Sequence, residues 1–210
     1  MLEADIGRPD DAIERLQRLV KQAQTLGMRE QHRLLSHSLA TCLMRADRPA
    51  EAAAAALRTA ELAVESGDPM LRGVALSLRA YALCITGDLE TALSCAVEAE
   101  QLQRQRNDRM RAQTLLRRAE ILLALGRTDQ ALDDARAART SAEEHHEKGF
   151  VVTAALWEAL HLAQQGRATK EDLVQAMSGV ERAGVGQRAL ARSLMERAAA
   201  WLGWRSAATP

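Results

Sequence analysis

A helical hairpin pattern returns about every forty residues in this chain, and that recurrence restricts the available folds more than any other feature. The clearest copy is residues 80–99, AYALCITGDLETALSCAVEA. Ala80, Leu83, Ala92, Ala96 and Ala99 stand three, four or seven residues apart on either side of Gly87 and Asp88. The spacing predicts two short helices that turn small side chains toward each other, so that their axes can come close. Gly87 permits the reversal between them. Asp88 is placed to cap the second helix, its carboxylate accepting bonds from otherwise unpaired amides.

The reversal position recurs as Gly7, Asp47, Gly87, Gly126 and Gly166, in steps of 40, 40, 39 and 40. Five residues after it stand Ala12, Ala52, Ala92 and Ala131; seven before it, Ala40, Ala80, Ala119 and Ala159; four before it, Leu43, Leu83, Leu122 and Leu162. A further column, Gly27, Gly67 and Asn107, marks the ends of units with the two residue types that best tolerate a left-handed helix C-cap. Independent columns that hold one phase imply a stacked array, in which each unit seals the apolar flank of the next.

These columns resemble the tetratricopeptide repeat family. GDLETALSCAVEA and GRTDQALDDARAA are close matches to the family's Gly before the second helix and Ala within it, and the resemblance covers roughly residues 1–166. The family's bulky aromatic early in the first helix is replaced by Leu76 and Leu115, and its closing Pro survives only as Pro69. A forty-residue period in place of the family's usual 34 implies helices longer by nearly a turn, as in the repeat domains of bacterial regulators related to the maltose activator. HEAT and armadillo arrays share the forty-residue period, but the Ala and Gly columns favour the tetratricopeptide reading. The expected fold is therefore all-α, an α-solenoid of four to five antiparallel helix pairs. Repeats are expected near 1–27, 28–67, 68–107, 108–148 and 149–184, with a cap over 185–204, as a single domain cut from a longer protein.

Composition agrees with a closely packed helical array. Aromatic residues are 2% of the chain and 47% is apolar, so the core must be filled by helices that approach closely. The 28 basic and 28 acidic residues cancel, without the basic excess that drives phosphate-backbone binding. Cys42, Cys84 and Cys95 form no CxxC pair and read as reduced thiols. The opening MLEADIGRPDD has no apolar signal region, and the longest apolar run, near Ala52 to Leu57, is too short for a membrane. A cytoplasmic location follows as the expectation.

Pro9 and Pro49 each fall two residues after a reversal position, at the first turn of a helix, where a missing amide proton costs nothing. After Gly166 the pattern decays. The next helix starts late, near Lys170, and a helix over about 187–202 is the candidate cap. Trp201 and Trp204 at its end are candidate contacts with another protein or another copy.

Nothing points to catalysis. His145 and His146 are adjacent, so on a helix they diverge by about 100° and cannot chelate one ion together. His32 and His37 are five apart, His161 stands alone, and no zinc-protease, Walker, dinucleotide or nucleophile-elbow motif occurs. No cofactor or metal is expected.

The resemblance instead directs attention to an inner groove lined by the first helix of each pair. Positions ten, six and three before each reversal give His37, Thr41 and Met44; Ser77, Tyr81 and Cys84; Leu116, Glu120 and Leu123; and Leu156, Leu160 and Ala163. Steps of four and three put each trio on one stripe. The stripes are mostly apolar with Tyr81 and Glu120 as polar handles, and they lack the Lys, Arg and Asn with which the family clamps a peptide carboxylate. The expectation is a noncatalytic interaction or sensor module of a bacterial regulator or signalling protein that takes an amphipathic helix. The alternative is an oligomerisation module joined end to end.

Overall fold

The computed structural model describes residues 9–186 and 189–203, and among them every regular element is an α-helix. The chain divides into two compact units, residues 1–110 and 111–210. The first holds α1 (Pro9–Thr25), α2 (Arg29–Arg45), α3 (Pro49–Glu65), α4 (Pro69–Thr86) and α5 (Leu89–Gln105). The second holds α6 (Arg111–Ala124), α7 (Thr128–Glu144), α8 (Lys148–Gln164), α9 (Lys170–Arg182) and α10 (Ala189–Trp201). The helices α2, α4, α6 and α8 are the first members of hairpins, and α3, α5, α7 and α9 the second. Residues 1–8, with Gly7, lie outside the described residues, as does Trp204.

Start and stop signals act where the sequence places them. Asp88 accepts from Thr91 N at 3.3 Å and Asp68 from Leu71 N at 3.0 Å, each capping a helix. Pro49 and Pro69 open α3 and α4. The late start of α9 is fixed by a reciprocal cap: Thr169 Oγ1 accepts from Asp172 N at 3.1 Å, while Asp172 Oδ2 accepts from Thr169 N at 2.9 Å. At the reversals Asp47, Gly87, Gly126 and Gly166 all have positive φ, from +56° to +89°. At the unit ends Gly27, Gly67 and Asn107 do the same, and His146, at φ +57°, is a fourth member that no sequence column marked.

In the first unit α2 packs on α1 and α3, and α4 packs on α3 and α5; α2 and α4 also touch, so first helices stand side by side. The small-residue columns fill the space between them. Ala40, Ala52, Ala80 and Ala92 are all 0% exposed, and Leu43 is 2%. The second unit repeats the plan with α6, α7 and α8, where Ala119 and Ala131 are 0% exposed. The phase then slips. Ala159 is only half-buried where Ala40, Ala80 and Ala119 are fully buried, and α9 packs less extensively on α8 than α5 does on α4; Leu162 is half-buried, as Leu83 is. The opposite side of α8 is closed instead, and α10 packs chiefly on that helix and less on α9.

Candidate functional site

The stripe defined by positions ten, six and three before each reversal behaves differently in the two units. On α2, His37, Thr41 and Met44 are all half-buried, and Thr41 Oγ1 donates to the His37 carbonyl one turn back at 3.1 Å. On α4, Tyr81 and Cys84 are half-buried and Ser77 is buried. Leu34, one turn before His37, and Ile85, one turn after Tyr81, are each 49% exposed and lengthen the stripes. Since α2 and α4 touch, the stripes lie on neighbouring helices. The large apolar side chains that stand more than a third exposed among the described residues all fall in this first unit.

In the second unit the same positions lead inward. Leu116, Leu156 and Leu160 are 0% exposed and Ala163 is 4%. They therefore belong to the core of the free chain, closed to solvent. Leu123 is half-buried. Glu120, expected as an open polar handle, is engaged: Oε1 accepts from the Trp157 indole N–H, and both carboxylate oxygens accept from Arg197 Nη1, at 3.1 and 3.2 Å.

His161 does not stand alone. It is 2% exposed, stacks on Trp157 with ring centroids 3.8 Å apart, and its Nδ1 lies 2.7 Å from the Trp157 carbonyl oxygen. Its Nε2 lies 2.8 Å from Arg197 Nη2. A guanidinium only donates, so Nε2 must be the acceptor and the proton sits on Nδ1, which donates to the carbonyl. Burial holds the imidazole below its ordinary pKa, the carbonyl bond and Glu120 oppose that, and Arg197 adds to it. Glu120 of α6, Trp157 and His161 of α8, and Arg197 of α10 thus form one connected polar group at the seat of α10. Sequence reasoning passed over Trp157 and Arg197. One usable signal was α8 itself, whose residues 150–163 include only Thr153, Glu158 and His161 as polar side chains. A helix apolar on every side must be covered on every side.

Other candidates carry less. His145 is half-buried at the end of α7 and His146 is exposed in its left-handed turn. No group of three or more His, Cys, Asp or Glu placed to hold a metal occurs among the described residues. Cys42 and Cys84 are half-buried, whereas Cys95 is buried and its thiol pKa is pushed up by that burial. Trp201 is half-buried at the end of α10. No helix among the described residues is long and apolar enough to cross a membrane.

No protein-family model matches the sequence, and no curated protein does. Solved structures do match in fold. The apo form of RapI aligns with a TM-score of 0.74 at 13% identity, over 91% of this chain and 76% of that one. A Rap protein complexed with Competence and Sporulation Factor aligns at 0.72 and 13% identity, over 93% of this chain but 57% of the other. A kinesin light chain of Podosopora anserina with TPR-like repeats aligns at 0.60 and 17% identity, over 92% and 86%. The chain has an all-α, TPR-like solenoid fold. At these identities the likeness extends to the fold, and the stripes and the Glu120 group must be interpreted from their own chemistry.

Proposed function

We propose that the chain is a noncatalytic interaction module whose first-helix face takes an amphipathic helical segment of a protein partner. The observation that carries this is the pair of neighbouring stripes on α2 and α4: half-buried His37, Thr41, Met44, Tyr81 and Cys84, extended by exposed Leu34 and Ile85. Apolar area with a few polar edges, set on two packed helices, suits a helix laid across it. A face already held by its own core loses little ordering entropy on binding, so modest contacts suffice. A sensing or signalling role in a bacterial regulator, of the long-period kind seen in maltose-activator relatives, and a cytoplasmic place belong to the same proposal. The sensing role draws support from the forty-residue period and from the Rap protein of this fold solved with Competence and Sporulation Factor.

The test is selection of helical peptides from a displayed library by the full chain, with affinities then measured on Leu34→Glu and Ile85→Glu. Wild type should enrich amphipathic helical sequences. Each variant should bind them at least about tenfold more weakly, a charge in the contact area being worth more than 1.4 kcal/mol, with helicity and unfolding midpoint unchanged. Undiminished affinity in both variants, or enrichment of nothing helical, refutes the reading.

A further inference from the structure

The second unit has the same first-helix face, and α10 lies on it. Three observations place it there. It packs chiefly on α8, its Arg197 reaches past α8 to Glu120 of α6, and the α8 stripe of Leu156, Leu160 and Ala163 is closed to solvent. A helix that merely continued the alternation would lean mainly on the preceding second helix, as α4 leans on α3 and α8 on α7. Instead α10 leans least on α9.

Its hold is slight in apolar terms. Of its thirteen residues Ala191, Leu194 and Ala198 are buried, two of them alanines; α9, of equal length, buries the larger Leu173, Met177 and Val180, and α4 and α8 each bury eight residues. What supplements them is the charge-assisted contact of Arg197 with Glu120 and His161. Local opening favours elements with few buried contacts.

We infer that α10 is a replaceable occupant of this face, and that the partner suited to the second unit is an amphipathic helix with small apolar residues and an arginine that meets Glu120. The inference rests on the first-helix face being the docking face. It adds what the guest must carry: Ala, Leu and Ala at steps of three and four along one side, with a cation one turn past the leucine, as α10 has them. Charge complementarity selects the cation, because Glu120 sits in a mostly enclosed site where a guest lacking it would strand the carboxylate.

The test uses a fluorescein-labelled peptide of residues 189–203 titrated against the full chain. Wild type, whose own α10 competes at high effective concentration, should bind it at least about tenfold more weakly than Arg197→Glu, in which α10 is repelled from Glu120. A peptide with glutamate in place of that arginine should lose its affinity for Arg197→Glu. Equal binding by the two chains, no binding to Arg197→Glu, or indifference to the peptide's charge overturns the inference. Should Arg197→Glu fail to fold, hydrogen exchange of the wild-type chain decides. Amides of α10 should exchange faster than those of α8 by local opening, and exchange of both only through global unfolding refutes replacement. These arms leave Leu34 and Ile85 untouched. Their failure alongside weakened library binding in Leu34→Glu and Ile85→Glu would remove the exchange of α10 and leave the docking face standing.

Discussion

Acidification should loosen the second unit through His161, and the size of the effect follows from linkage. In the folded chain only the neutral imidazole with its proton on Nδ1 satisfies both neighbours, at 2.7 Å to the Trp157 carbonyl and 2.8 Å to Arg197 Nη2. A second proton on Nε2 would exchange an accepted bond for two facing cations in a buried site, with the Trp157 carbonyl and the Glu120 carboxylate in partial compensation. The folded pKa is accordingly below the unfolded value of 6.5. The unfolded chain then binds more protons than the folded one as pH falls through that value, so stability is fully present above about pH 7 and declines below about pH 6.5. The slope is at most about 1.4 kcal/mol per pH unit for one proton, which sets a ceiling of about 2 kcal/mol between pH 7 and pH 5. His32, buried on α2 and also held below its ordinary value by burial, acts with the same sign. Urea unfolding of wild type and His161→Gln across this range separates the two, since Gln keeps an acceptor for Arg197 but does not titrate. The stability difference between them should be level above pH 7 and shift against the wild type as pH falls below 6.5. A difference that stays constant from pH 7 to pH 5, or moves the other way, refutes the neutral state assigned to His161 in the folded chain.

Three further outcomes test the scaffold. His146 has φ +57° and an exposed side chain, a conformation that costs a residue with a Cβ about 1–2 kcal/mol. After allowance for the greater freedom of glycine in the unfolded chain, His146→Gly should stabilise by about 0.5–1 kcal/mol. Gly126→Ala should destabilise by about 1 kcal/mol by the same reasoning, since an added Cβ there meets nothing within 4 Å and the penalty is conformational. Denaturant unfolding reads both, and a loss of stability in His146→Gly would show that its ring makes a contact worth more than the backbone strain. Arg118 grips Asp134 through two bonds of 2.6 Å, with Asp134 7% exposed. Arg118→Met should cost about 3–5 kcal/mol by stranding the carboxylate, while Arg118→Met combined with Asp134→Leu should recover most of it. A double variant no more stable than the single one would contradict that account.

The scaffold was legible because its requirements are local and repeated. A reversal needs a left-handed residue, a close crossing needs alanine, and each need returns as a column that one sequence displays four times. His146 escaped because its residue type carries no such signal. Its position did: it lies 39 residues after Asn107, the same shortened step that separates Gly87 from Gly126. The groove positions were legible as stripes but not as surface. Counting back from a reversal gives the direction of a side chain, and whether that direction ends in solvent depends on what else packs there. For α8 the answer came from α10, whose placement depends on contacts nearly forty and eighty residues back, at His161 and Glu120. No repeat column encodes such distances.

The contrast between the two stripes follows from what each can tolerate. His37, Thr41, Tyr81 and Cys84 are half-buried side chains with polar groups, so the α2 and α4 stripes are less costly to leave open to water. Leu116, Leu156 and Leu160 cannot do so cheaply, because baring a leucine costs about 1.5–3 kcal/mol. The two on α8 need cover, and α10, which packs chiefly on that helix, contributes to it with few buried apolar residues of its own. Glu120, about three-quarters enclosed at the edge of that contact, is matched there by a cation as well as by the Trp157 indole N–H. Arg197 is that cation and in the same place accounts for the neutral His161. Any helix that took the place of α10 would have to satisfy three groups together: the leucine floor, the Glu120 carboxylate and the Nε2 lone pair of His161. Lysine offers one donor nitrogen in place of the fork that meets Glu120 through Nη1 and His161 through Nη2. Titration of arginine and lysine forms of the 189–203 peptide should therefore show the arginine form binding more tightly, and equal affinities would refute the fork's part in this face.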